Sequence, residues 1–141
     1  GVPWDLSGAK VTSYAPNMAA SRRARAEGYD DALLVTTDGL ILEGPTFAVA
    51  WVVEGRLETP GLELGILDSI TRRLVLEVAA ESGLEAVEGR WDLSRLARAT
   101  EMCAWSTIRE VQPITAVGED LVFPVGPLTT ALARGFRERL G

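Results

Sequence analysis

The chain predicts a mixed α+β domain in which strands outnumber helices, on three observations. Short apolar or β-branched runs succeed one another with only Asp38-Gly39, Gly44-Pro45 and Glu54-Gly55 between them, which is the punctuation of antiparallel hairpins. Segments with apolar residues at helical spacing lie before and after those runs. The length, 141 residues, is that of one domain, and 47% hydrophobic with 24% charged residues is enough to fill a core, which excludes a disordered chain.

Taken in order, residues 1–9 carry Gly, Pro and Ser around Trp4 and read as an extended lead-in, the end of a linker. Residues 16–27 open on Pro16 and Asn17, hold alanines inside and stop before Gly28, the start and stop signals of a helix. Residues 31–36, 40–42 and 47–53 then predict three strands paired antiparallel, and Glu54-Gly55 turns the chain into a fourth at 56–59. After Pro60-Gly61 a loop reaches Ser69, and Leu74, Val75, Val78 and Ala79 set a helix from Ile70 that ends at Ser82-Gly83. A strand at 84–87, a short helix at 93–99 and a strand at 101–104 precede the polar Ser106-Thr107 turn. Strands at 111–117 and 121–123 and a helix from Pro127 to about Leu140 complete the domain. No repeat, low-complexity tract or single-sign charge block interrupts it.

Composition excludes several chemistries. With no histidine and only Cys103, the chain can form no internal disulfide, no Cys/His zinc site and no Ser-His-Asp triad. No metal site is expected. A net charge of -6 repels phosphate backbones and argues against a nucleic-acid partner, while leaving a small anionic ligand open. No apolar run approaches the roughly 18 residues of a membrane-spanning helix and no signal peptide is seen, so neither insertion nor export is expected and the location predicted is cytoplasmic.

Proton transfer or covalent catalysis is left to carboxylates, hydroxyls, Cys103 and one amine. Lys10 is the only lysine, so thirteen of the fourteen basic residues are arginine. Arginine keeps its proton, whereas a lysine tuned by its surroundings attacks carbonyls. Ser69-Ile70-Thr71 opens a helix, whose free N–H groups and dipole suit a phosphate. Ser106-Thr107 lies between two strands, Tyr14 follows Lys10 by four residues, and Glu43 ends a strand. Each has a plainer reading: a surface lysine, an N-cap, an ordinary turn, a surface charge.

Together these residues carry a resemblance. Lys10-Val-Thr-Ser-Tyr14-Ala-Pro-Asn17, Leu42-Glu43-Gly44, Gly65-Ile-Leu67-Asp-Ser69-Ile-Thr71-Arg72 and Glu101-Met-Cys-Ala-Trp-Ser106-Thr107 up to Gln112-Pro113-Ile114 resemble the class IV aminotransferases, pyridoxal-phosphate enzymes of fold type IV. The family includes branched-chain and D-amino acid aminotransferases, R-selective amine transaminases and aminodeoxychorismate lyases. The resemblance covers nearly the whole chain in order and spacing. It implies the larger C-terminal domain of that fold, an antiparallel-rich β pseudo-barrel flanked by helices, over residues 10–141.

The resemblance also implies roles. Lys10 matches the lysine that forms the internal aldimine with pyridoxal 5'-phosphate and moves the proton between Cα and C4′. Tyr14 matches a tyrosine near the ring hydroxyl, Glu43 the carboxylate facing the pyridine nitrogen, and Leu67 the apolar residue on the ring face. Ser69, Ile70 and Thr71 match the helix-start phosphate cup, and Ser106 and Thr107 the second phosphate-binding turn. The activity implied is transfer of an amino group between an amino acid (branched-chain or D-amino acid) or amine and a 2-oxo acid, within a homodimer. The alternatives are an aminodeoxychorismate lyase that releases pyruvate, and a non-catalytic cofactor-binding or assembly module. That last alternative follows from length: the family's small N-terminal domain, which lends an arginine to the phosphate, is expected upstream and is absent here.

Three positions depart from the family pattern. Gly44 is followed by Pro45-Thr46-Phe47-Ala48 where small polar residues and an asparagine are common, removing an amide that would support Glu43. Ser69 stands where glycine is usual, and Ser13 where asparagine is frequent before Tyr14. Phe47 on its own reads as a core aromatic.

Overall fold

The structure, a computed structural model, describes residues 8–13, 17–107 and 110–140. Tyr14 and the helix start at Pro16 lie outside the described residues. Among the described residues, no helix is long and apolar enough to cross a membrane.

Two sheets stack between helices, and the strands show why. β2 (Asp31–Val35, DALLV) is buried at every residue, and β3 (Ala48–Val53, AVAWVV) at all but its first. A strand covered on both faces reads as a continuous apolar run, because successive side chains alternate between the two covers. In β3, Val49, Trp51 and Val53 enter one core cluster while Ala50 and Val52 enter another. In β6 (Glu101–Ser106) the same alternation sends Met102 and Ala104 one way and Cys103 and Trp105 the other.

The first sheet has the order β2-β1-β8-β9. β1 (Gly8–Ser13) runs parallel to β2 with Lys10 opposite Ala32 and Thr12 opposite Leu34. A parallel pair needs a crossover, and α1 (Asn17–Ala26) provides it. β8 (Ala116–Val117) is parallel to β1, and β9 (Leu121–Val122) is antiparallel to β8. The second sheet has the order β5-β4-β3-β6-β7, with β4 (Arg56–Pro60), β5 (Ala86–Gly89) and β7 (Glu110–Ile114). Its pairs are antiparallel except β4 with β5.

Ala9, Leu33 and Val117 of the first sheet meet Val49, Trp51, Met102 and Ile114 of the second in one core, closed by Ile41, Phe47 and Leu96. The outer face of the second sheet packs on α2 (Ile70–Glu81) and α3 (Pro127–Leu140) through Val75, Val78, Leu132 and Phe136. The outer face of the first packs Ala32 and Leu34 on Ala20 and Ala24 of α1, with Leu42 and Ile66 at the end.

Sequence and structure differ at several places, among them the strand read at 84–87, which is β5 at Ala86–Gly89. Gly8 and Ala9, read as lead-in, are the first residues of β1, which extends through Lys10 to Ser13. β2 pairs with β1 rather than with β3, and residues 40–42 make only isolated bridges, Ile41 to Val35 and Leu40 to Asp92. There the chain is passing from one sheet to the other, so it finds a different partner at each residue. The 111–117 run divides between β7 and β8 for the same reason, with Thr115 at the crossing. The short helix at 93–99 is a 3-10 segment over Leu93–Arg98, capped by Asp92, whose carboxylate accepts from the Ser94 N–H at 2.9 Å.

Candidate active site

One end of the second sheet opens into a cleft of ≈ 350 Å³ lined by Glu43, Gly44, Pro45, Thr46, Phe47, Ala48, Leu67, Ser69, Trp105, Ser106 and Thr107. Three chain segments converge there: the crossing from β2 to β3, the loop into α2, and the turn after β6. Five of the residues singled out by the sequence, Glu43, Leu67, Ser69, Ser106 and Thr107, are among the lining residues.

Glu43 is held by its backbone first. Its carbonyl accepts from the Leu34 N–H at 2.8 Å, and the next residue, Gly44, donates its N–H to the Phe47 carbonyl at 2.7 Å. The half-buried carboxylate accepts from the Leu67 N–H at 3.4 Å. Burial pushes the Glu43 carboxyl above its ordinary value, and the Leu67 N–H opposes that in part. Glu43 also lines a second cleft of ≈ 370 Å³ with Leu34, Thr36, Thr37, Leu42, Leu64, Gly65 and Ile66, so it forms the wall between the two.

Ser69 has extended backbone and N-caps α2, its Oγ accepting from the Arg72 N–H at 3.0 Å. The amides of Ile70 and Thr71, in the first turn, are by position without an intrahelical acceptor and mark the positive end of the helix dipole. Neither residue is among those lining the cleft; the Ile70 side chain is 76% exposed and Thr71 is buried. Arg72 is turned away, its guanidinium engaged by the Pro60 carbonyl at 3.2 Å and by the Glu88 carboxylate. Ser106 ends β6, and Thr107 starts the turn toward β7.

Lys10 is not among the lining residues of either cleft. Alternation along β1 sends Ala9 toward the core between the sheets and Lys10 toward α1, where its ammonium pairs with Glu27, just past the helix end. It shares that face with Thr12, two residues or about 7 Å further along the strand, and Thr12 is opposite Leu34, a lining residue of the second cleft. Cys103 offers no nucleophile: burial, with Glu101 nearby, pushes its thiol up to about 12.

The sequence reading missed Trp105 as part of the cleft; Phe47, read as a core aromatic, is in the core between the sheets and also lines the cleft. The signal for Trp105 was its position one residue before Ser106 on a strand buried on both faces. Its indole Nε1 is buried and has no hydrogen-bond partner among the described residues.

The sequence profile of the family described as Amino-transferase class IV matches residues 1–117. The chain belongs to the class IV aminotransferases. The class IV chain is 35% identical over 110 residues to an aminodeoxychorismate lyase of Bacillus subtilis, covering 78% of this chain and 38% of that protein. It is 30% identical over 131 residues to a putative branched-chain-amino-acid aminotransferase of Methanocaldococcus jannaschii, covering 92% of this chain and 46% of the relative. A branched-chain aminotransferase of Thermoproteus uzoniensis, solved with norvaline, superposes with a TM-score of 0.89 at 29% identity, over 98% of this chain and 53% of that one. The PLP-form of a branched-chain amino acid aminotransferase from Thermobaculum terrenum gives 0.86 at 29%, over 97% and 51%. This class IV chain thus spans about half the length of the solved chains it matches. Its fold is the mixed α+β fold of the type IV aminotransferases.

The residues present fit pyridoxal phosphate at both polar ends. The phosphoryl dianion needs donors, and Ser69, Ser106 and Thr107 bring three hydroxyls to the cleft that α2 faces with its N-terminus. The ring nitrogen, when protonated, needs a carboxylate, and among the described residues Glu43 is the one carboxylate lining that cleft. The cleft volume also falls in the roughly 300–1,000 Å³ range of small-molecule sites.

Proposed function

We propose that this chain is the cofactor-binding domain of a pyridoxal-phosphate-dependent transaminase that moves an amino group between an amino acid (branched-chain or D-amino acid) or amine and a 2-oxo acid. The observation that carries the reading is the gathering of Glu43, Leu67, Ser69, Ser106 and Thr107 on one cleft from three separate segments.

In this reading Ser69, Ser106 and Thr107, with the amides of Ile70 and Thr71, bind the phosphoryl group and fix the cofactor's orientation. Glu43 holds a proton on the ring nitrogen, where its negative charge favours the charged ring. Leu67, 70% exposed beside the cleft, packs on the ring face and excludes water there once covered. Lys10, once released from Glu27, is the residue that would hold the cofactor through its Nζ and would carry the proton that leaves the substrate Cα. Tyr14, outside the described residues, is assigned to the ring hydroxyl by the resemblance alone. When bound, the cofactor supplies an electron sink for the charge left on Cα.

The exposed apolar side chains of Leu67 and Ile70 at the rim support a cover by a small N-terminal domain and a second copy of the chain in a homodimer. A lyase that releases pyruvate is the second reading, favoured by the 35% identity to the Bacillus subtilis lyase. Turnover followed with and without a 2-oxo acid separates the two. Dependence on the 2-oxo acid identifies the transaminase, pyruvate release without it identifies the lyase, and failure to bind pyridoxal phosphate leaves a non-catalytic module.

A further inference from the structure

We propose that Phe47 is the positioning residue for Glu43, its ring seated on Gly44 so that the Glu43 carboxylate is fixed toward the bound ring nitrogen. The inference rests on the cofactor reading above and adds the element that holds its carboxylate in place.

A Cβ on Gly44 would lie 2.0, 2.1 and 2.4 Å from the Cζ, Cε1 and Cε2 atoms of Phe47. The tip of the ring therefore occupies the space a side chain at position 44 would take. The ring cannot withdraw easily, since Phe47 is 4% exposed and belongs to the core between the sheets with Val49, Trp51 and Ala104. The contact is locked by the bond from the Gly44 N–H to the Phe47 carbonyl at 2.7 Å, which closes the loop 44–47. On the other side the Glu43 carbonyl is tied to Leu34 at 2.8 Å. The peptide between Glu43 and Gly44 is thus clamped by hydrogen bonds on both sides and by an aromatic ring on its Cα.

The side chain of Glu43 has one weak anchor, the Leu67 N–H at 3.4 Å, a length at which a hydrogen bond contributes little. Orientation of the carboxylate therefore depends on the backbone from which it projects. Burial and the Leu67 N–H govern the Glu43 carboxyl, while Asp68, next to Leu67 in the chain, pairs with Arg73 at 2.6 Å. Only glycine at 44 leaves room for the ring, and a large apolar residue at 47 supplies the rigid contact. A bulky ring packed from the core thereby takes over a support that a polar side chain would give through hydrogen bonds.

The test compares binding, in the full chain, of pyridoxal 5'-phosphate and its analogue in which a ring CH replaces the pyridine nitrogen. A carboxylate aimed at the ring nitrogen favours the natural cofactor on the order of tenfold to a hundredfold, and Glu43→Gln reduces that preference. Phe47→Leu, which keeps the core apolar but withdraws the ring tip, and Gly44→Ala, which displaces it, are expected to reduce the preference toward unity. Leu132→Ala, a cavity in the core beneath α3, is expected to leave the preference intact although it destabilises the fold. Preserved preference in both Phe47→Leu and Gly44→Ala overturns the role of Phe47. Absence of preference in the unsubstituted chain overturns the cofactor reading itself, so the two failures are distinct.

Discussion

The Glu43 carboxylate accepts a hydrogen bond from the Leu67 N–H at 3.4 Å, joining the end of the β2 crossing to the loop that enters α2. The residue matched to the ring nitrogen is thereby tied to the backbone of the residue matched to the ring face. A cofactor ring held between them would feel any displacement of that loop at both places. The bond also places a carboxylate where burial disfavours its charge.

Glu43 should cost the folded protein stability at neutral pH. Its folded-state carboxyl titrates above the ordinary value of 4.5, so the unfolded chain gives up that proton first. Stability attributable to this group is full below the ordinary value, falls as pH rises toward the raised value, and stays lost above it. Glu43→Gln should therefore raise the melting temperature at pH 7 relative to the parent while the two converge below pH 4.5. The same change should lower kcat/KM by about a hundredfold or more. Calorimetry at both pH values and steady-state kinetics check the pair of effects.

Glu58 behaves oppositely. Burial alone would raise it, but hydrogen bonds from Arg95 and Trp51 and the charges of Arg95 and Arg56 outweigh burial and hold its carboxyl below the ordinary value. Its oxygens accept from Arg95 Nε at 2.8 Å, Arg95 Nη2 at 2.6 Å and Trp51 Nε1 at 2.9 Å. Stability from this group is present above 4.5 and is lost as pH falls through its depressed value. Glu58→Ala leaves the Trp51 indole without its acceptor and Arg95 without its counter-charge, at a cost of about 3 kcal/mol. Urea unfolding at pH 7 measures it.

Glu101 caps a helix from a distant strand. Its carboxylate accepts from the Thr129 N–H at 2.6 Å and the Leu128 N–H at 3.3 Å, at the start of α3. A Cβ on Gly126 would come within 2.2 Å of that carboxylate. Glu101→Ala should cost about 1–3 kcal/mol, and Gly126→Ala should destabilise in the same direction by displacing the carboxylate. Amide exchange in the first turn of α3 should rise in both variants. Unchanged protection there contradicts the capping role.

Much of this was legible in the sequence, for identifiable reasons. Helix signals at Asn17, Ser69-Ile70 and Pro127 are local, and helices start within a residue of each among the described positions. The apolar runs of β2 and β3 were equally plain, because both faces of each strand are covered. Pairing was not legible, since a continuous apolar run carries no register and nothing in it distinguishes a parallel neighbour from an antiparallel one. β1 was missed altogether, because Gly8 reads as part of the lead-in and Lys10, Thr12 and Ser13 dilute its apolar content. Glu43, Ser69 and Thr107 stood out in the sequence through their motifs, and they line one cleft. The contact of Phe47 with Gly44 was not, because it depends on where a core side chain ends in space.

The proposed chemistry depends on Lys10, whose ammonium the structure pairs with Glu27. The decisive measurement is borohydride reduction of the full chain loaded with pyridoxal phosphate, followed by peptide mapping. A phosphopyridoxyl mass on the peptide containing Lys10, lost together with the visible absorbance in Lys10→Ala, is the result predicted. A bound cofactor that borohydride leaves unattached to Lys10, or an absorbance that survives in Lys10→Ala, contradicts it.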